Sequence, residues 1–168
     1  GRPCWPGVSG LMLIEQIFSY SMEEKICSIN IKPDTPGQHG LPKLPVNSTR
    51  ITRNGLEGDY NRYRHIKKKN DPDMAVLLLP MEIIEELNEE GWSIKPGDLG
   101  ENLTTAGIAI KDFSPGKTYR VGEATIQITF KCEPCTNLYS LPYVGREEGP
   151  EFMKTMMDRR GWDASGKE

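Results

Sequence analysis

Apolar residues in this chain fall in short runs, and their spacing changes from run to run. In residues 25–32, KICSINIK, Cys27, Ile29 and Ile31 alternate with Ile26, Ser28 and Asn30. That period of two, with branched side chains, predicts a strand. Residues 74–79, MAVLLL, are continuously apolar, which fits either a buried strand or part of a buried helix. After Pro80 the period lengthens. Ile83, Ile84 and Leu87 make one face, while Glu85, Glu86, Glu89 and Glu90 make the other. Gly91 stands where a helix stops, so a short amphipathic helix is expected over 81–90. Ala124, Ile126, Ile128 and Phe130 alternate again and predict a strand, whereas Phe152, Met153, Met156 and Met157 recur at helical spacing before Gly161.

Turn signals punctuate the rest. Asn54-Gly55, Pro96-Gly97, Gly107, Pro115-Gly116 and Gly122 cut the chain into short extended pieces. Residues 33–49 are rich in proline without any period and read as a loop. Glycine (17) and proline (13) are abundant, which favours strands and turns over a helical bundle. The expected class is therefore mainly β with a few helices (α+β), folded as a barrel or a sandwich. A length of 168 residues suits one domain with a real core.

Charge and cysteine usage narrow the function. A net charge of -3 argues against a general nucleic-acid binder. Four cysteines, Cys4, Cys27, Cys132 and Cys135, are too unevenly placed for a secreted disulfide scaffold, so free thiols in the cytoplasm are expected. The first 21 residues precede Met22. Their apolar piece is too short to span a membrane and makes a poor signal peptide. They are read as a leader outside the functional domain, which is placed at 22–168.

Three segments carry candidate chemistry. In KCEPCTNL, Cys132 and Cys135 follow the 124–130 strand with a proline between them. The spacing alone admits a redox pair, half of a zinc site with His39 and His65, a single working thiolate, or packing. In NGLEGDYNRYRHIKKK, Glu57 and Asp59 supply carboxylates, and Arg62, Arg64 and His65 supply a local positive field suited to an anion. In PGDLGENLTT, Glu101 and Asn102 follow a glycine-rich turn. Asn102 can both donate and accept, and Asp98 reads as a turn residue. The PGDLGENLTT segment lacks the GK[ST] ending of a phosphate-binding P-loop, and the chain has no GxSxG nucleophile elbow.

In order, GLEGD, the basic stretch with histidine, PGDLGENL and CEPC resemble the MOSC family, the domain named from the C-terminal part of molybdenum-cofactor sulfurases. The resemblance covers about residues 24–162 and is nearest to small standalone members. It implies a strand-rich, partly closed MOSC-type β-barrel. It also implies a cysteine, falling on Cys135, that either carries sulfur as a persulfide or ligates molybdenum. The reductase route implied by some relatives would act on N-oxygenated compounds. Under the same resemblance Asp59, Arg62, Arg64, His65, Glu101, Asn102 and Cys132 line the place of a molybdenum cofactor (molybdopterin). The partner implied is a pyridoxal-phosphate-dependent cysteine desulfurase or a molybdenum-cofactor enzyme. Relatives continue past an RRGW-like segment into further strands, so this domain is expected to lack its last strands. Arg159 and Arg160 are left outside the pocket. The contrasting expectation is a non-catalytic module binding an anion or a partner through the basic loop.

Overall fold

The computed structural model describes residues 23–167, so the leader and Cys4 lie outside the described residues. Among the described residues nine strands, β1 to β9, and three helices, α1 to α3, follow one another with short 3₁₀ turns between them. Seven strands form one curled mixed sheet, a half-barrel, in the order β2-β1-β6-β5-β9-β8-β7. The remaining two, β3 (Ile51–Thr52) and β4 (Gly55–Leu56), form a hairpin around Asn54-Gly55.

β1 (Lys25–Ile31) follows the expected strand but not its simple alternation. The pairing with β6 (Leu103–Ala106) shifts between Ile26 and Ser28. An extra residue there changes the phase of the side chains. Ile26, Ile29 and Ile31 therefore all pack on the core, and Asn30 is fully buried on the other side. The apolar run becomes β5 (Val76–Pro80), parallel to β6 and antiparallel to β9 (Trp162–Lys167). It is covered on both faces, which explains why it shows no alternation. Val76 and Leu78 belong to one core with Leu103, Ile126, Ile128 and Trp162, while Leu79 belongs to a second core under the helices.

α2 (Met81–Glu89) is the crossover between the parallel strands and buries Ile83, Ile84 and Leu87. Gly91 takes a φ of 104°, and the Trp92 amide donates to the Leu87 carbonyl at 3.1 Å. That bond closes the helix by satisfying one of its orphan carbonyls. α3 (Gly145–Met156) starts before Pro150, earlier than the methionine spacing indicates, and buries Phe152 and Met156. β7 (Thr118–Val121) and β8 (Ala124–Lys131) complete one edge, and β2 (Leu44–Val46) forms the other.

Two segments depart from the sequence pattern. The basic stretch expected as irregular is a helix, α1 (Arg62–Lys67), capped by the Asn61 side chain on the Arg64 amide at 3.0 Å. Residues after Gly161, which carry no clear period, form β9 in the interior of the sheet, between β5 and β8. Their placement is tertiary: Gly161 lies so close to β5 that a Cβ there would meet the Leu78 carbonyl oxygen at 2.5 Å. Among the described residues no helix is long and apolar enough to cross a membrane.

Candidate functional site

The glycine-rich motifs meet in a buried polar network. Asp59 lies at the end of the GLEGD turn, and one of its oxygens accepts from the Lys32 amide at 2.8 Å. Its other oxygen accepts from Lys43 Nζ at 2.6 Å and from Asn102 Nδ2 at 2.9 Å. Lys43 and Asp59 are each only 5% exposed. Burial lowers the Lys43 pKa, and Asp59 beside it works in the opposite direction. Asn102 is used on every side. Its amide donates to the Leu77 carbonyl, its Oδ1 accepts from the Leu77 amide, and its Nδ2 also reaches the Asn30 carbonyl. Asn30 joins Ser28, Thr104 and the Glu101 carbonyl.

Gly97 explains how the second motif closes on Lys43. It has a φ of 92°, and a Cβ there would sit 2.3 Å from the Lys43 carbonyl oxygen. Only glycine accepts both the conformation and the approach. Asp98 accepts from the Lys95 amide at 2.9 Å and from the Tyr143 hydroxyl at 2.7 Å, a turn role as its sequence context indicates.

Glu101 points elsewhere. It is fully buried, and its Oε1 accepts from the Gly97 amide at 2.6 Å and from Thr104 Oγ1 at 3.0 Å. Its Oε2 has no partner. Burial pushes its pKa up to about 7, against the pull of those hydrogen bonds. Glu101 lines a small cleft with Cys132, Pro134, Leu138, Arg160 and Gly161. The cleft holds about 30 Å³, room for one or two waters. Asp163 on β9 lies close enough to raise the Cys132 pKa. Burial pushes its own carboxyl up to about 7, and Oδ2 is likewise unpartnered.

The two cysteines occupy different environments. Cys132 is half-buried, its amide held by the Gly161 carbonyl at 2.8 Å, its thiol near the Glu133 carbonyl at 3.6 Å. Desolvation, then the nearby Asp163, push its thiol well above the ordinary range, and Arg160 opposes them. Cys135 is exposed at the start of the 3₁₀ turn Thr136–Ser140. Arg160 is bonded to Glu133 through Nη1 at 2.5 Å, but its buried Nε has no partner. Arg159 instead pairs with Glu86 and Glu90 on α2.

The basic stretch is not part of this cleft. Arg64 is 7% exposed and donates to three backbone carbonyls, those of Asp71 at 2.7 Å, Asn54 at 2.8 Å and Asn70 at 3.1 Å. His65 Nδ1 lies 3.1 Å from Asn70 Oδ1, and its ring packs on Tyr60. Arg62 is exposed. The structure thus joins Asp59 to Asn102, and Glu101 to Cys132, but leaves Cys135 outside both and turns Arg64 into a clamp. Cys132, Cys135, His39 and His65 are not assembled: no group of three or more His, Cys, Asp or Glu side chains among the described residues is placed to hold a metal ion. Lys43 escapes sequence reasoning, inside a loop without period, and Arg160, left outside the pocket there, lines the cleft.

A molybdenum pterin does not fit the cleft as it stands. About 30 Å³ holds no pterin ring system. The guanidinium of Arg64, a candidate for the phosphate, already has three carbonyl acceptors. A larger cavity of about 420 Å³ between α2 and residues 107–111 is lined by Glu82 and Glu86 and by no cysteine.

Comparison with known proteins places the fold. The chain superposes on YiiM from Geobacillus stearothermophilus with a TM-score of 0.62 and 23% identity, covering 86% of this chain and 68% of that one. It superposes on YUAD protein from Bacillus subtilis with a TM-score of 0.66 and 14% identity, covering 86% and 87%. In sequence it is 30% identical over 101 residues to YflK of Bacillus subtilis (strain 168), itself uncharacterized. That match covers 59% of this chain and 45% of the relative, so the chain spans less than half the length of this curated protein. The MOSC domain model matches residues 62–168, from α1 through β9, and the chain belongs to the MOSC domain family.

Proposed function

We propose that this protein carries sulfur as a persulfide, with Cys135 as the thiol that receives it. MOSC domains are associated with molybdenum-cofactor binding or with sulfur handling. The observation that favours sulfur handling here is the pairing of an exposed Cys135 with a sulfur-sized cleft three residues away. An exposed thiol can meet a donor protein, as transfer from a cysteine desulfurase requires. In that step the Cys135 thiolate attacks the outer sulfur of the donor's persulfide. The new S–S bond forms at Cys135, the donor's S–S bond breaks, and the donor cysteine leaves as thiolate. No net oxidation occurs. The acceptor downstream is a molybdenum cofactor or another sulfur-requiring site.

A molybdenum cofactor supplies two-electron redox chemistry when it is bound, and reduction of N-oxygenated compounds would use it. Cys135 is the residue of this chain that would hold the metal. Because the small cleft and Arg64, which is turned to three backbone carbonyls, do not make a cradle for the pterin, no step is derived through it.

Incubation with a cysteine desulfurase and labelled cysteine tests the proposal. Wild type should acquire sulfur that cyanide releases, and Cys135→Ser should acquire none while unfolding at the same denaturant concentration. Equal loading of the variant would sink the role of Cys135. Expression in a host that makes molybdenum cofactor, followed by elemental analysis and pterin fluorescence, checks the other route. Molybdenum and pterin that co-purify with wild type and are lost in Cys135→Ser would replace sulfur carriage by cofactor binding.

A further inference from the structure

Resting on the carrier reading, we infer that Cys135 is only the entry thiol, and that the sulfur moves inward to Cys132, where the Glu101–Arg160 cleft stores it. Four observations bear on this. Cys132 lines the cleft, and Cys135 does not. The cleft has room for one or two waters, and so for one added sulfur atom. Two buried polar atoms of its lining residues lack partners, Arg160 Nε and Glu101 Oε2. Buried polar groups in native proteins are nearly all satisfied, so these two atoms leave hydrogen-bonding capacity beside the cleft. The remaining walls, including Leu79, Leu138 and Met156, are apolar.

The chemistry balances without any added oxidant. Cys132 Sγ attacks the outer sulfur of the Cys135 persulfide. The bond from Cys132 to that sulfur forms, the bond from Cys135 breaks, and Cys135 leaves with the electron pair. The proton shed by the Cys132 thiol goes to solvent, and a solvent proton restores the Cys135 thiol. The product is a persulfide on Cys132, and oxidation states are unchanged overall. The Arg160 Nε–H is a donor for the terminal sulfur, which carries negative charge more readily than a thiol does. Cys132 is half-buried where Cys135 is exposed, so outside reagents meet Cys135 first.

Glutathione persulfide is a bulky probe for this route. Protein is loaded with it for increasing times, alkylated and digested with trypsin. Fragmentation of peptide 132–146 then locates the extra sulfur. In wild type the sulfur should appear on Cys135 first and on Cys132 later. Cys135→Ser should slow the loading of Cys132 by about tenfold or more. In Cys132→Ser the sulfur should stay on Cys135 and be stripped by cyanide faster than from wild type. Arg160→Met should shorten that protection while leaving uptake at Cys135 intact. Sulfur that stays on Cys135 in wild type at all times would overturn the relay and leave carriage standing. A Cys132–Cys135 disulfide with released hydrosulfide would also overturn it, since the inner sulfur would then have been attacked. Absence of sulfur on both cysteines would overturn the carrier reading itself.

Discussion

The network around Asp59 and the cleft at Cys132 lie against the same sheet, and both bury charged groups. Around Asp59 both carboxylate oxygens, the Asn102 amide and the Asn30 amide have partners. At the cleft Glu101 Oε2 and Arg160 Nε have none, and neither does Asp163 Oδ2 nearby. A saturated network fixes one arrangement of chain, because any loss leaves a buried charge or amide alone. An unsaturated one costs stability and is retained where something else completes it. The motif residues therefore divide into those whose polar groups are all paired and Glu101, one of whose carboxylate oxygens is not.

The sharpest way to break that contrast is Asp59→Ala. It strands the Lys43 ammonium in a 5%-exposed position and removes an acceptor from Lys32 and Asn102. A loss of about 3–5 kcal/mol is expected in denaturant unfolding. A loss below about 1 kcal/mol would mean that the network is solvated and not structural.

Arg64→Ala comes next. It frees the carbonyls of Asn54, Asn70 and Asp71, which hold the hairpin and the turn after α1. Charge-assisted hydrogen bonds of this kind make a loss of about 2–3 kcal/mol the expectation. If Arg64 instead served an anion, its removal would weaken phosphate binding with little change in stability, and isothermal titration with inorganic phosphate separates the two.

The third probe sits on the cleft side. The folded pKa of Glu101 is raised from 4.5 to about 7, so the folded state holds its proton over that range while the unfolded chain has lost it. Its contribution is full below about pH 4.5, falls as pH rises towards 7, and is constant above. The slope is at most about 1.4 kcal/mol per pH unit for one proton. Subtracting the stability–pH curve of Glu101→Gln from that of wild type should isolate this fall. Asp163, also raised to about 7, gives the same sign and remains in the variant. A difference curve flat between pH 4.5 and 7 would show that Glu101 titrates normally and that water reaches it.

Much of the frame is readable in the sequence. β1, α2 and β8 follow from local periods, and Gly91 and Gly97 from turn chemistry. Asp59, Glu101 and Asn102 stand out by their glycine-rich surroundings, and the structure brings them within one buried region. What they do there is not legible, because it depends on Lys43 and Asn30, which reach them across the sheet. β9 is hidden for a related reason. Asp163, Ser165 and Gly166 are poor strand formers, and only the gap between β5 and β8 makes them extended. Arg160 precedes that strand, and so the cleft's cation is obscured along with it. The role of Arg64 is hidden because a charge run does not reveal which cation a set of backbone carbonyls will capture.

The position of β9 sets two clocks at the cleft. One wall, Gly161 and the strand after it, is laced to both β5 and β8. Its amides should be among the slowest in the molecule to exchange with deuterium, since opening there parts the sheet into two pieces. Cys132, Pro134 and Leu138 line the cleft from a loop whose Glu133, Cys135, Thr136 and Asn137 are exposed and whose backbone bonds are few. The loop's amides should exchange orders of magnitude sooner. Whatever enters the cleft then does so past the cysteine loop, at the loop's pace, while the strand side stays shut.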